Sequence, residues 1–322
     1  MKKPFGTLLK IGISLGLLSI LIYKTDPIKI LQSFQAYSPG IVLMAIGISF
    51  LAVLVAAAKW HILLSGYPFS SILEMSLIHT FYSLVLFGQL TGDLARVYKM
   101  TRQGNQHAFA EITTSVLFDR ITGFFSLTLV GIIGIVLTHQ PFPGLLTWLL
   151  SGMIFMSALT LFSMRFSVIY NLIAAFMTYC TGPEKILPER LSAHLVLLLE
   201  TVHLYSQKTL LCVISTMYGV IIQLLCIATI CLFAHALEIS VAFIDWCWIF
   251  AAMTILLFFP VSISGIGVRE GGFVGLLGLQ GIASEKAMAL SFSLFSVQVV
   301  LGLVGGIIEF KSSLKRKKNM NT

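Results

Sequence analysis

Two stretches of this chain place glycine, polar and charged residues inside otherwise apolar sequence, and in matching order. Residues 87–96 read FGQLTGDLAR, and residues 259–270 read FPVSISGIGVRE. Each runs from a phenylalanine to a Gly-x-x-x-Arg: Gly92 with Arg96, and Gly265 with Arg269. A guanidinium is a planar fork of donors that fits phosphate or carboxylate two bonds at a time. Glycines let backbone amides come close to a ligand. A helix beginning near Arg269 would aim its N-terminal N–H groups at the same place, which favours an anion. The anion-binding candidates are therefore Gly92, Arg96, Ser264, Gly265, Gly267 and Arg269. The stretch lacks the Gly-Lys-Ser/Thr ending of a Walker loop.

Four further charges could set the polarity of a path or lock its conformations: Asp93, Asp119, Arg120 and Glu270. Asp93 and Arg96 are three apart and share a helix face. Asp119 and Arg120 lie inside the apolar run VLFDRITG. Ionisable groups in such runs are costly and face a protein interior or a wet cavity. Adjacent helix positions diverge, so each should pair elsewhere, with Asp93, Arg96, Arg269 and Glu270 as the available partners. A structural reading competes throughout: a capped helix end at Asp93 and Arg96, a helix-breaking turn at Arg269, and an ion-pair lock at Asp119 and Arg120. Glu200 and His203 have a carboxylate–imidazole spacing, but a di-iron bundle needs a second such motif, so no metal and no other cofactor is expected. No Ser-His-Asp set, HExxH or paired catalytic carboxylate stands out.

The elements that must hold these residues are membrane helices. Of 322 residues 57% are hydrophobic and 11% charged, and the mean hydropathy is +0.95; soluble domains carry about 25% charged residues. The formal charge of +8 concentrates at Lys2, Lys3, Lys10 and in a tail containing Lys311, Lys315, Arg316, Lys317 and Lys318. That placement sets topology with cytoplasmic ends rather than nucleic-acid binding, and the tail can touch anionic headgroups. Cys180, Cys212, Cys226, Cys231 and Cys247 form no CxxC pair and read as small hydrophobes. The basic, apolar N-terminus lacks a small-residue cleavage site and reads as an uncleaved anchor.

Full-length spans are expected at about 6–23, 40–58, 113–138, 143–164, 209–235, 241–259 and 286–309. Segment 72–90 leads into the first break and reads as re-entrant. Ser71 and Glu74 form a capping-box pattern at its start. Segment 271–283 is short and glycine-rich. Gly302, Gly305 and Gly306 permit close packing in the last span. Charge placement gives about eight crossings plus a re-entrant element. The expected fold is an all-α polytopic bundle in one membrane domain, residues 1–322. It divides into a first half (about 1–165), an interfacial amphipathic linker (about 166–208), a second half (about 209–310) and a basic tail (311–322).

Three motifs together carry a resemblance: Gly92-Asp-Leu-Ala-Arg96-Val-Tyr, Leu117-Phe-Asp-Arg120-Ile-Thr-Gly and Pro260-Val-Ser-Ile-Ser-Gly265-Ile-Gly267-Val-Arg269-Glu270. In this order and spacing they resemble the membrane domain of the lysylphosphatidylglycerol synthase/flippase family, over nearly the whole chain. Asp119 stands where the family pattern suggests Glu, so the acid is kept. The soluble aminoacyl-transferring domain of two-domain members is not in this sequence. The resemblance thus implies lipid translocation without aminoacyl transfer, with a membrane phospholipid or polyprenyl-phosphate lipid as partner and a homodimer or a glycosyltransferase as protein partners. The expectation is a flippase-like carrier of an anionic headgroup in the inner membrane. The alternative is a membrane transferase or accessory subunit in polyprenyl-phosphate or glycolipid synthesis. A transferase would need Asp93, Asp119 or Glu270 as its acid or base.

Overall fold

The computed structural model describes residues 28, 32–85, 89–101, 106–138, 151–152, 207–258 and 262–320. Every regular element among them is helical: α1 Pro39–Leu63, α2 Phe69–Val85, α3 Gln89–Thr101, α4 Gln106–Leu137, α5 Thr209–Ala236, α6 Phe243–Phe258, α7 Val268–Gly278 and α8 Ser284–Met320. Short 3-10 turns lie at Phe34–Ala36 and Ile263–Gly265. The spans expected at 6–23 and 143–164, the amphipathic linker, and the motif of Glu200 and His203 lie outside the described residues.

The two described halves have the same plan. Each is a long helix, two short helices folded at a break, and a second long helix. Among the described residues four helices are long and apolar enough to cross a membrane: Pro39–Leu63, Phe109–Leu137, Thr209–Ala236 and Ser284–Ser312. The short helices are not. At about 1.5 Å per residue, the 16 residues of α6 and the 11 of α7 rise about 24 and 17 Å, short of a core about 30 Å thick. The apolar segment from residue 72 supplies α2, the first arm of the α2–α3 hairpin, and α6–α7 forms its counterpart; the span expected at 241–259 is the shorter helix α6.

The halves run in opposite directions. Tyr37, just before α1, stacks edge-on against Phe233 near the end of α5, with ring centroids 5.1 Å apart. At the other end Leu211 and Cys212 pack into the cluster of Trp60 and Leu63. Helices α1 and α5 are therefore antiparallel. Each hairpin packs on the last long helix of the opposite half, α2 on α8 and α6 on α4.

Both contacts use glycines at the same spacing. A Cβ on Gly131 would come within 2.8 Å of Ala251 Cβ, and one on Gly134 within 2.8 Å of Trp248 N. A Cβ on Gly302 would come within 2.7 Å of Leu84 Cδ2, and one on Gly305 within 2.0 Å of the Leu77 carbonyl oxygen. The close packing expected of Gly302, Gly305 and Gly306 is present, and Gly131 and Gly134 supply its twin. The break after α2 falls beside the middle of α8. The end of α6 meets the middle of α4, where the Phe258 and Phe124 rings lie 4.8 Å apart. Helix α2 also touches the turn Ile263–Gly265.

Helix starts follow local chemistry. Ser38 Oγ accepts from Ile41 N at 3.4 Å with Pro39 in the first turn, the expected capping arrangement. The expected box at Ser71 and Glu74 is not the start of α2. That helix begins at Phe69, and the Pro68 carbonyl accepts from Ser71 N and Ile72 N, so Ser71 lies inside the first turn.

Helix α3 is inside out. Its Leu94 and Tyr98 are 68% and 56% exposed, whereas Asp93 and Arg96 are 7% and 6% exposed. An apolar outer face over a charged inner face suits a helix surrounded by lipid and lining a polar interior.

Gly305→Ala should lower stability by about 1–3 kcal/mol by forcing α8 away from the α2 backbone. Gly47→Ala, whose new Cβ meets nothing within 4 Å, should be neutral or stabilise by up to about 1 kcal/mol. Unfolding of purified protein by increasing SDS in mild detergent measures both; equal effects would refute the close-packing assignment.

Candidate functional site

The first hairpin gathers a network of charges. Asp93 is its hub. Its Oδ1 accepts from Arg96 Nε at 3.0 Å and Nη2 at 2.5 Å, with His79 Nε2 at 3.3 Å. Its Oδ2 accepts from Arg120 Nε at 2.5 Å. Arg96 also reaches Asp119 Oδ2 at 3.4 Å. Lys59 Nζ lies 2.9 Å from Asp119 Oδ1 and donates to the Asp119 carbonyl at 2.9 Å. Arg120 completes its fork on Gln89, with Nη1 to Oε1 at 2.6 Å and Nη2 to the carbonyl at 3.3 Å. The Arg96 guanidinium stacks 4.6 Å from the centre of the Trp60 ring.

Four helices supply these groups. Lys59 and Trp60 come from the last turns of α1, His79 from α2, and Gln89, Asp93 and Arg96 from α3. Asp119 and Arg120 come from α4, diverging as adjacent helix positions do. Gly92 has a packing role here: a Cβ would fall 2.2 Å from Ser83 Oγ and 2.7 Å from the His79 carbonyl. It lets α3 lie close on α2 and so brings Asp93 to His79. Next to this network Glu309 of α8 pairs with Lys99 and accepts from Tyr82 Oη at 3.2 Å.

The second break is organised differently. Gly265 and Gly267 have φ of +77° and +85°, and Ser264 has φ of +53°. The backbone is left-handed there, a conformation glycine takes at little cost. Helix α7 starts at Val268, and Glu270 folds back so that its Oε2 accepts from Gly267 N at 2.6 Å. Its Oε1 accepts from Arg269 Nη2 at 2.7 Å, Arg269 Nε at 3.2 Å and Ser291 Oγ at 3.0 Å. Arg269 Nε also donates to Ser291 Oγ at 3.1 Å, and the guanidinium stacks 4.4 Å from the centre of the Phe295 ring. Glu270 is fully buried and Arg269 is 6% exposed. The anion at the start of α7 is thus the protein's own. Ser264 Oγ is buried without a hydrogen-bond partner and joins neither network.

Two differences from the sequence expectation stand out. Arg96 and Arg269 belong to separate networks, beside Glu309 and Ser291 respectively, which are about 27 Å apart along α8. And the two networks differ in charge. Among the described residues Lys59, Arg96 and Arg120 pair with Asp93 and Asp119, which leaves one positive charge in excess with His79 neutral. Arg269 and Glu270 cancel. Sequence reasoning did not place Lys59, His79, Gln89, Trp60, Ser291 or Glu309 in a site. Glu309 had a usable signal, being an acid inside the last apolar span.

Glu270→Gln should cost about 3–5 kcal/mol, because it strands a buried guanidinium. The paired change Arg269→Met with Glu270→Leu should cost clearly less. Detergent unfolding of the three proteins decides it: a paired variant as unstable as the single one would show that the ion pair is not the stabilising element.

A search of curated proteins returns no match, and neither does a search of solved structures. Residues 7–306 match the family described as Lysylphosphatidylglycerol synthase TM region. This agrees with the three charged motifs, the broken helices and the long apolar spans, and it attaches a membrane-lipid role to the chain. The chain is a multi-pass helical membrane protein belonging to the lysylphosphatidylglycerol synthase TM region family.

Proposed function

We propose that this protein is a lipid translocase that carries an anionic, phosphate-containing headgroup across the inner membrane while the acyl or prenyl tails stay in lipid. The observation that carries this reading is the uncompensated positive charge of the first network. A buried excess charge in a low-dielectric surround is costly without a partner, and intramembrane ionisable residues mark substrate pathways. Arg120 is the accessible member. Its side chain is 23% exposed, against 7% for Arg96 and 3% for Lys59. Its Gln89 contacts are to a neutral group, which a phosphate can replace with stronger charge-assisted bonds. Arg96 and Lys59 supply the field behind it.

The arrangement also weighs against a transferase. The carboxylates of Asp93, Asp119 and Glu270 are each already engaged by a cation, which leaves none open to meet a substrate proton. In this reading the second network is a structural lock on the turn before α7, and ligand capture falls to the first hairpin. Antiparallel halves with helices broken near mid-bilayer match the layout of transporters whose substrate site sits at the repeat interface. With both termini cytoplasmic, as the basic ends suggest, the first hairpin opens toward the cytoplasm.

The test uses proteoliposomes with fluorescent phosphatidylglycerol and a dithionite-quenching readout of transbilayer movement. Wild-type protein should accelerate movement at least tenfold over protein-free vesicles. Arg120→Gln should abolish that acceleration while unfolding at the same SDS fraction as wild type. Undiminished movement by a folded Arg120→Gln protein would overturn the site, and no movement by folded wild type would overturn the function.

A further inference from the structure

We infer that the first network selects its lipid by charge and takes a headgroup with one net negative charge, a phosphodiester rather than a phosphomonoester or a zwitterion. The inference rests on the translocase reading and specifies its substrate class.

Lys59 meets Asp119. Arg96 meets Asp93 and Asp119. Arg120 meets Asp93 and Gln89. His79 meets Asp93 and Ser83. Among the described residues none of these charged side chains makes a further ion pair, which gives the network an excess of one positive charge. The neighbouring Lys99–Glu309 pair adds one charge of each sign.

A phosphodiester brings one negative charge and leaves the filled site neutral. A phosphomonoester approaches two negative charges above its second ionisation and leaves the site net negative. A zwitterion leaves the excess charge in place and adds a cation beside it. The cost of residual charge is highest where water is scarce, which is why the count decides here and would not on a soluble surface. His79 is the one group whose ordinary range lies near neutrality, and its protonation would raise the excess to two. The comparison therefore belongs at pH 8.5.

The experiment measures both binding and movement. Full-length protein in detergent is equilibrated with phosphatidylglycerol, phosphatidylethanolamine and phosphatidic acid of identical tails. Retained lipid is quantified, and movement of each lipid is followed in proteoliposomes. Wild type should prefer phosphatidylglycerol over each of the others by about tenfold or more. Asp119→Asn, with an excess of two, should shift the preference to phosphatidic acid. Lys59→Met combined with Asp119→Asn returns the excess to one and should restore phosphatidylglycerol. A structural role alone would not produce that reversal and rescue.

Retention of the three lipids within twofold by wild type would overturn charge selection, whatever the movement assay shows. A folded Asp119→Asn protein with an unshifted ratio would overturn it too. If that variant does not fold, the wild-type ratio decides. Charge-selective retention without any movement would sink the translocase reading and leave a charge-selective lipid site.

Discussion

A charge inside a membrane protein must be matched or hydrated, and most of this architecture follows from that requirement. The inner face of α3 carries Asp93, Arg96 and Lys99, all buried. None could remain there alone. Lys59 from α1, Asp119 and Arg120 from α4 and Glu309 from α8 converge on that face. The hairpin is held by glycines at its packing surfaces and by ion pairs along its length. Helix α3 could not turn its charges outward without placing them in hydrocarbon.

The two hairpins solve the same problem with different chemistry. On the first, several long helices contribute charges and one excess cation remains. On the second, a single residue, Glu270, satisfies the Gly267 amide, Arg269 and the Ser291 hydroxyl together. The two halves thus share a backbone plan while their polar contents differ. One half retains a network that a ligand can complete, and the other closes on itself.

Much of this was legible in the sequence. Both breaks announce themselves because glycine and charge interrupt apolar runs, and the length of those runs placed the long helices. The partnership of Asp119 with Arg96, and of Arg120 with Asp93, was among the pairings that helix geometry left open. What escaped depended on tertiary approach. Lys59 looks like a topology marker until α4 lies across it. Arg269 and Glu270 are adjacent and should diverge on a helix. They meet because α7 begins at Val268, and its third residue reaches back while Arg269 curls toward Ser291. Pro68 likewise pre-empts Ser71 as the start of α2. The spacing of Gly131 and Gly134 matches that of Gly302 and Gly305, a sequence signal of the shared helix packing.

The crossed packing of the hairpins also constrains how the chain is made. Helix α2 finds its glycine-lined surface on α8, and α3 finds Glu309 there. Some 200 residues separate them, which at about 5–20 residues per second takes on the order of 10–40 s to synthesise. Throughout that interval the first hairpin sits in the membrane with Lys99 unmatched by Glu309. The early half therefore has to be held by the insertion machinery or rest at the water interface until the last helix arrives.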